Sequence, residues 1–424
     1  MEHADKHAFE RMLRREFWIL TVIGGTYGFF HEKAWAVVST INYVVLYSIM
    51  ALTMSILAYT VYLLQGQLGY LSQALNIFIV GMVVVTATLT LTLSRPKMQA
   101  FLAFYDDPWS FCEYSRNEYF ENLMLHTVKK KNKLILTWAF LYGLCGAVGV
   151  CQPVIDKIFG RSSEITNVNG AWLNLPIIFW WPFDPTESTL IWMVPFMLQS
   201  LFLGYSAIVV ASAVSLCFAT ADLVMDQFKL VIYGINNLDN RAKEMYKKRF
   251  PGSDMKRMDN REYDDCYYDC LVQNVKHHVD TLKWMDKFND MASLPVAVPF
   301  FGGAVLIGMA LITITEEDDP RLGPKCLAAM SAFSELYNMY LLCKLGQEWQ
   351  QLSDDLLDAL YGCRWSGRSE RVKKAIRIMR LSCARPMKFT AAKLLVLNMQ
   401  LFSDLINSAY SIFNLKAVSQ EKES

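Results

Sequence analysis

The chain has 424 residues, of which 53% are hydrophobic and 19% charged, with a formal net charge of +1 at pH 7. That near-neutral balance excludes an electrostatic nucleic-acid surface. A soluble chain of this length would divide into two or more domains. Here the apolar residues instead gather into long uncharged runs, the composition of a membrane protein.

Residues 1–33 are polar, mixed in charge and unlike a cleavable signal peptide, so insertion falls to the first span. Ala34 to Ser94 then holds no charged residue. The stretch is too long for one crossing, and Gln65-Gly66-Gln67-Leu68-Gly69 divides it into helices expected at 36–64 and 70–94, the second stopped by Arg95-Pro96-Lys97. A basic, aromatic segment follows, ending in Lys129-Lys130-Lys131. The third span is expected at Leu134 to Ile155, where Gly143, Gly146 and Gly149 permit close helix approach or leave room for a ligand. Residues 156–187 form a loop whose Trp172, Trp180 and Trp181 suit a membrane interface.

The fourth span runs from Ser188 to Ala221 and continues helically into the charged segment 222–290, which keeps helical periodicity at both ends. Met291 to Thr315 is the fifth span, with Pro295, Pro299 and Gly302-Gly303 inside it and Glu316-Glu317-Asp318-Asp319-Pro320 ending it. Cys326 to Cys343 is the sixth, with one acidic residue, Glu335, which is costly in lipid unless paired, protonated or near water. Leu352, Leu356 and Leu360 extend an amphipathic helix beyond it, and residues 364–388 are basic. The last helix is read over 385–418. Its Gln400, Asp404, Asn407, Ser411 and Asn414 recur in alternating steps of four and three, so they form one polar stripe. Lipid does not accept such a stripe, which must face protein or water.

Lys and Arg concentrate in the segments before span one and between spans two and three, four and five, and six and seven. This places the N-terminus in the cytosol and the C-terminus outside. That orientation is opposite to a G-protein-coupled receptor, and no G protein is required. The signatures of that class are also missing: Asn407-Ser408-Ala409-Tyr410 lacks the proline, and Asp156-Lys157-Ile158 follows span three. Enzyme motifs are absent. His277-His278 point about 100° apart on a helix and are read as packing residues, as are Cys266 and Cys270. Cys151 and Cys326 sit near outer helix ends and could pair, though nothing requires it. No metal or cofactor is implied.

Pro386, Phe389-Thr390-Ala391, Lys393, Leu397-Asn398, Phe402 and Ala409-Tyr410-Ser411-x-Phe413 together resemble the C-terminal signature of insect odorant receptors. The resemblance implies an all-α polytopic membrane protein with seven spans. Residues 1–33 would be a cytosolic segment, 34–345 spans one to six with a ligand pocket, 346–390 a cytosolic anchor, and 391–424 the pore-lining helix and extracellular C-terminus. It further implies a subunit of a ligand-gated cation channel. The partners would be a small volatile organic ligand, the lipid bilayer and a coreceptor subunit, in a hetero-oligomer, a tetramer, in the plasma membrane of olfactory neuron dendrites.

Phe333, Tyr337 and Tyr340 offer an aromatic face just before Cys343-Lys344-Leu345-Gly346, and in the resembling family such a face contributes to the ligand cavity. Tyr142, Gly146 and Val150 could form a second wall, with Phe78, Met197 and Leu201 closing it. Alignment of the signature puts Ala409, Phe413, Lys416 and Ala417 at the ion path, with Phe413 as a hydrophobic gate. This competes with the polar stripe, because Phe413 lies well away from Gln400 around an ideal helix. Lys416, a cation at a cation-pore mouth, argues against conduction by this chain alone. A gustatory-type chemoreceptor, a small-solute transporter and a membrane scaffold are the alternatives.

Overall fold

The structure, a computed structural model, describes residues 36–93, 118–159, 166–251, 261–384 and 387–423. Among these, nine helices carry the architecture: α1 (Ala36–Leu63), α2 (Leu68–Leu93), α3 (Glu118–Ile158), α4 (Thr189–Asn236), α5 (Leu238–Arg249), α6 (Arg261–Ile314), α7 (Gly323–Gly362), α8 (Glu370–Cys383) and α9 (Met399–Glu423). The protein is an all-α, polytopic membrane protein. Residues 1–33 and the Arg95-Pro96-Lys97 stop lie outside the described residues.

Among the described residues, five helices are long and apolar enough to cross a bilayer: α1, α2, α3, α4 and α6. Their outward faces carry exposed large apolar side chains such as Val44, Leu136, Phe140, Leu190 and Leu294, as lipid contact requires. The helices α7 and α9, the sixth and seventh expected spans, are not among these five. They are the helices that carry Glu335 and the polar stripe. A helix sheltered by neighbours or facing water need not be apolar all round.

Most helices outrun their apolar runs. The helix α3 begins at Glu118, far ahead of Leu134; α4 continues past Ala221 to Asn236; α6 begins at Arg261, long before Met291. Those of α4 and α6 are held by a second core, not by lipid, while the start of α3 packs through Phe120 and Met124 against Leu230 of α4. Tyr246, Tyr263, Tyr267, Leu356, Leu360, Val372 and Ile376 pack together from α5, α6, α7 and α8. Arg368 lies over the rings of Tyr263 and Tyr267, 4.6 and 5.0 Å from their centroids. The same guanidinium pairs with Asp239 and Asp264, so it joins stacking to charge.

The opposite end is capped by a small antiparallel sheet, β1 (Asn167–Val168), β2 (Ala171–Trp172) and β3 (Phe179–Trp180), in the order β1-β2-β3. The Trp180 N–H donates to Thr60 of α1, and the Ile177 N–H to Gln199 of α4, which fixes the loop across the helix ends.

The C-terminal block departs from a single helix over 385–418. Strands β4 (Thr390–Ala391) and β5 (Leu395–Val396) form a hairpin, and α9 starts only at Met399. Ala392 and Lys393 turn the hairpin with φ of 51° and 59°. That is the left-handed region, which L-residues rarely adopt. Tertiary contacts hold the turn: the Ala392 N–H donates to the Ser293 carbonyl of α6. Gly346 of α7 meets the hairpin so closely that a Cβ there would lie 2.3 Å from the Leu397 carbonyl oxygen. Phe389 completes a buried triad with Phe288 and Trp349. Asn398 then caps α9, its side chain accepting from the Leu401 N–H at 2.8 Å. An amide oxygen at this position satisfies one of the helix's unpaired N–H groups.

Candidate ligand cavity and pore helix

A cavity of about 80 Å³ opens where α2, α3, α4, α6 and α7 converge. Small and branched side chains build most of its wall, including Ala87, Val210, Val214 and Ala292. Pro295 and Pro299 of α6 also line it. Neither ring nitrogen can donate to the carbonyl one turn earlier, so the α6 ladder is interrupted beside the cavity. The polar groups are few. Glu335 and Asn338, 8% and 3% exposed, lie one turn apart on α7, and Tyr142 faces them from α3.

Of the ligand residues expected from the sequence, Tyr142 alone lines this cavity. Tyr337 packs on the same core at its edge, 5.4 Å from the Trp138 ring, and stacks on Phe333. Phe78 and Val150 pack in the cluster beneath the β1–β3 cap, and Gly146 abuts Ala207. Met197, Leu201 and Phe333 are exposed on the chain's own surface, at 52%, 56% and 60%. Tyr340 packs edge-on against Phe402 of α9. The sequence signal for the residues that do line the cavity is thin. Alanines and valines on separate helices resemble any apolar helix face, whereas Glu335 stands out as the one acidic residue of its span.

The helix α9 presents Gln400, Asp404, Asn407, Ser411 and Asn414 as one exposed stripe. Ala409 faces the other way, 2% exposed, in a cluster with Ala304, Ile307 and Met339. Gly308 of α6 allows this approach; a Cβ there would meet Ile412 at 2.7 Å. Phe413 is half-buried at the border of the two faces, and the side chains of Lys416 and Ala417 lie outside the described residues.

Towards the β1–β3 cap is a second polar group of a different kind. Asp319 and Arg321 form an ion pair at 2.7 Å with both side chains 3% exposed. Gln73 of α2 donates to Asp319 and accepts from Arg321, and Arg321 also donates to the Leu173 carbonyl. Burial acts to raise the Asp319 carboxyl, but Arg321 and then Gln73 outweigh it and hold it below the usual carboxylate range. Asp156 of α3 accepts from the Leu322 and Gly323 N–H groups, capping the start of α7.

Cys151 and Cys326 are free thiols. His277 and His278 are buried, the first hydrogen-bonded to Gln227 and the second edge-on to Phe228, so both serve packing.

Residues 67–410 match the family model described as 7tm Odorant receptor. The chain belongs to the odorant receptor family. Its members are ligand-binding receptors, not enzymes. In sequence, this receptor is 26% identical over 143 residues to Odorant receptor 67a of Drosophila melanogaster, covering 34% of this chain and 35% of that one. It is also 25% identical over 139 residues to the Odorant receptor coreceptor of Ooceraea biroi, covering 31% and 29%. The matched stretch thus spans about a third of the length of these relatives. The fold is similar to that of the olfactory receptor OR5 from Machilis hrabei in complex with eugenol. That match has a TM-score of 0.76 at 13% identity, over 97% of this chain and 98% of that one.

Proposed function

We propose that the receptor is the odorant-binding subunit of a heteromeric, ligand-gated, non-selective cation channel, opened by a small volatile organic molecule. One observation carries the reading: the cavity and α9 share the same two supporting helices. A ligand in the cavity touches α6 through Met291, Pro295 and Pro299, and α7 through Glu335, Asn338 and Leu342. The helix α9 rests on these helices through Gly308, Met339 and Tyr340. Ligand binding that favours one arrangement of α6 and α7 therefore biases α9, as a population shift requires. The interrupted ladder at Pro295 and Pro299 gives α6 a place to bend.

The exposed stripe of α9 suits a wall of a water-filled path shared with other subunits. Phe413, at its border, suits a gate that closes by dewetting. Seven spans, with a cytosolic N-terminus and an extracellular C-terminus, bring α9 to that path. A coreceptor supplies the remaining walls of a tetramer in the plasma membrane of olfactory neuron dendrites. Phe78, Gly146, Val150, Met197, Leu201, Phe333, Tyr337 and Tyr340 belong to this reading as the approach to the cavity and the link from it to α9.

The experiment is whole-cell recording from cells expressing the chain with and without a coreceptor, against a panel of volatiles. Odorant current is expected only with the coreceptor, and Phe413→Ala is expected to raise the ligand-free leak. Robust current from the chain alone, or an unaltered leak, overturns the assignment of the path. An epitope after Ser424 that stains only permeabilised cells overturns the orientation.

A further inference from the structure

The cavity wall is not neutral in what it asks of a ligand. Three of its residues bring buried polar atoms that have no hydrogen-bond partner: Tyr142 Oη, Glu335 Oε1 and Asn338 Oδ1. Glu335 and Asn338 stand one turn apart on one face of α7, with Tyr142 across the cavity from them. The open Asn338 Oδ1 is an acceptor, and so is an ionised Glu335 Oε1. Tyr142 adds one hydroxyl, able to donate or accept. The remaining wall is mostly aliphatic and aromatic, and it supplies these atoms with no hydrogen bond. A buried carboxylate without a counter-charge and a buried amide oxygen without a donor are both costly. A ligand with positive charge and at least two N–H groups would supply what these atoms lack.

We propose that this cavity selects compact aliphatic amines, bound as the ammonium ion between Glu335, Asn338 and Tyr142. The inference rests on the reading of the cavity as the ligand site. Glu335 Oε1 pairs with the charge and takes one N–H, Asn338 Oδ1 takes the second, and the Tyr142 ring and hydroxyl close over the cation. Size points the same way. The cavity, about 80 Å³, is roughly half the volume of the engineered ~150 Å³ cavity that holds benzene. A short-chain amine fits the cavity as it stands, and a five-membered-ring amine fits once the adaptable Met291 side chain gives way.

The test is ligand-observed NMR on the full-length protein in lipid nanodiscs, with pyrrolidine, cyclopentanol and tetrahydrofuran as probes of nearly equal shape. Pyrrolidinium offers a charge and two N–H groups, cyclopentanol one O–H, and tetrahydrofuran no donor. Pyrrolidine is expected to bind tightest and tetrahydrofuran about tenfold or more weaker, the discrimination of a lost charge-assisted hydrogen bond. Glu335→Gln keeps the shape, removes the charge and is expected to bring the three affinities together. Asn338→Leu is expected to weaken pyrrolidine and spare tetrahydrofuran. Equal affinities on the unmodified protein, no binding of pyrrolidine, or an order that Glu335→Gln leaves intact overturns the proposal. The ranking on the unmodified protein decides even where a variant fails to fold. Current recorded with a coreceptor separates the two readings. Pyrrolidine binding without current upholds the amine preference and removes the channel. Current from tetrahydrofuran but not pyrrolidine upholds the channel and removes the amine preference.

Discussion

Two buried carboxylates in this receptor have opposite surroundings. Asp319, beneath the β1–β3 cap, is met by the Arg321 guanidinium, the Gln73 amide and the Arg321 backbone N–H. Glu335, beside the cavity, has no hydrogen-bond partner on its Oε1. The first group is closed on itself and spans α2, the cap loop and the start of α7. It acts as a clasp, and its worth is structural. The second is an incomplete shell around a cavity. Burying a charge demands partners, and the two sites differ in whether the fold supplies them all or leaves the last to a ligand.

The sharpest way to break this contrast is to open the clasp. Arg321→Ala leaves Asp319 buried and unpaired, which commonly costs about 3–5 kcal/mol. The variant is expected to lose most of its monodisperse peak in detergent size-exclusion and most of its surface expression. A stable, well-expressed Arg321→Ala protein would mean that the clasp holds nothing.

Next in size is the hairpin that seats α9. Gly346→Ala puts a methyl group against the Leu397 carbonyl, a backbone atom that cannot swing aside. Overpacking of this kind costs about 1–3 kcal/mol. The melting temperature is expected to fall while ligand affinity at the cavity is retained. An unchanged melting curve would show that the hairpin sits loosely on α7.

The clasp also has a pH signature. The Asp319 carboxyl is held lower in the folded protein than in the unfolded chain, where an aspartate titrates at about 3.9. Its contribution is complete above that unfolded value and is lost as pH falls through the lower folded one. The stability advantage over Asp319→Asn is thus expected to stay flat from about pH 7 to about pH 5 and to shrink only below about pH 4. A loss of that advantage near neutral pH would assign the stabilisation to another group.

The smallest effect on stability is expected at the cavity. Glu335→Gln removes a charge that lacks its partner, so the ligand-free protein is expected to hold its stability within about 1 kcal/mol or gain some. A large loss, comparable to that of Arg321→Ala, would make Glu335 a second clasp instead of a ligand group.

The difference between these regions is only half legible in the sequence. Glu335 stands out because a lone acidic residue in an apolar run is expensive wherever it lies. Asp319 and Arg321 do not, because they fall in a short acidic loop that reads as solvated. Their burial depends on Gln73 and Leu173, 246 and 148 residues away. The C-terminal block shows the same division. Its residues are enough to suggest the family, yet Phe389 and Leu397 are buried core residues beside the hairpin, not part of the last helix.

What the sequence determined by itself is what local pattern encodes. Uncharged runs mark the apolar spans, because each crossing is a continuous segment solvated by lipid. The polar stripe of α9 likewise follows from periodicity along one helix. Tertiary structure decided where those faces meet. It placed Tyr142, Glu335 and Asn338 around one cavity, let helices run on beyond their apolar segments, and held Ala392 and Lys393 in a left-handed turn through Ser293. Each outcome rests on contacts between residues far apart in the chain, and close packing of the folded bundle, not any local preference, selects them.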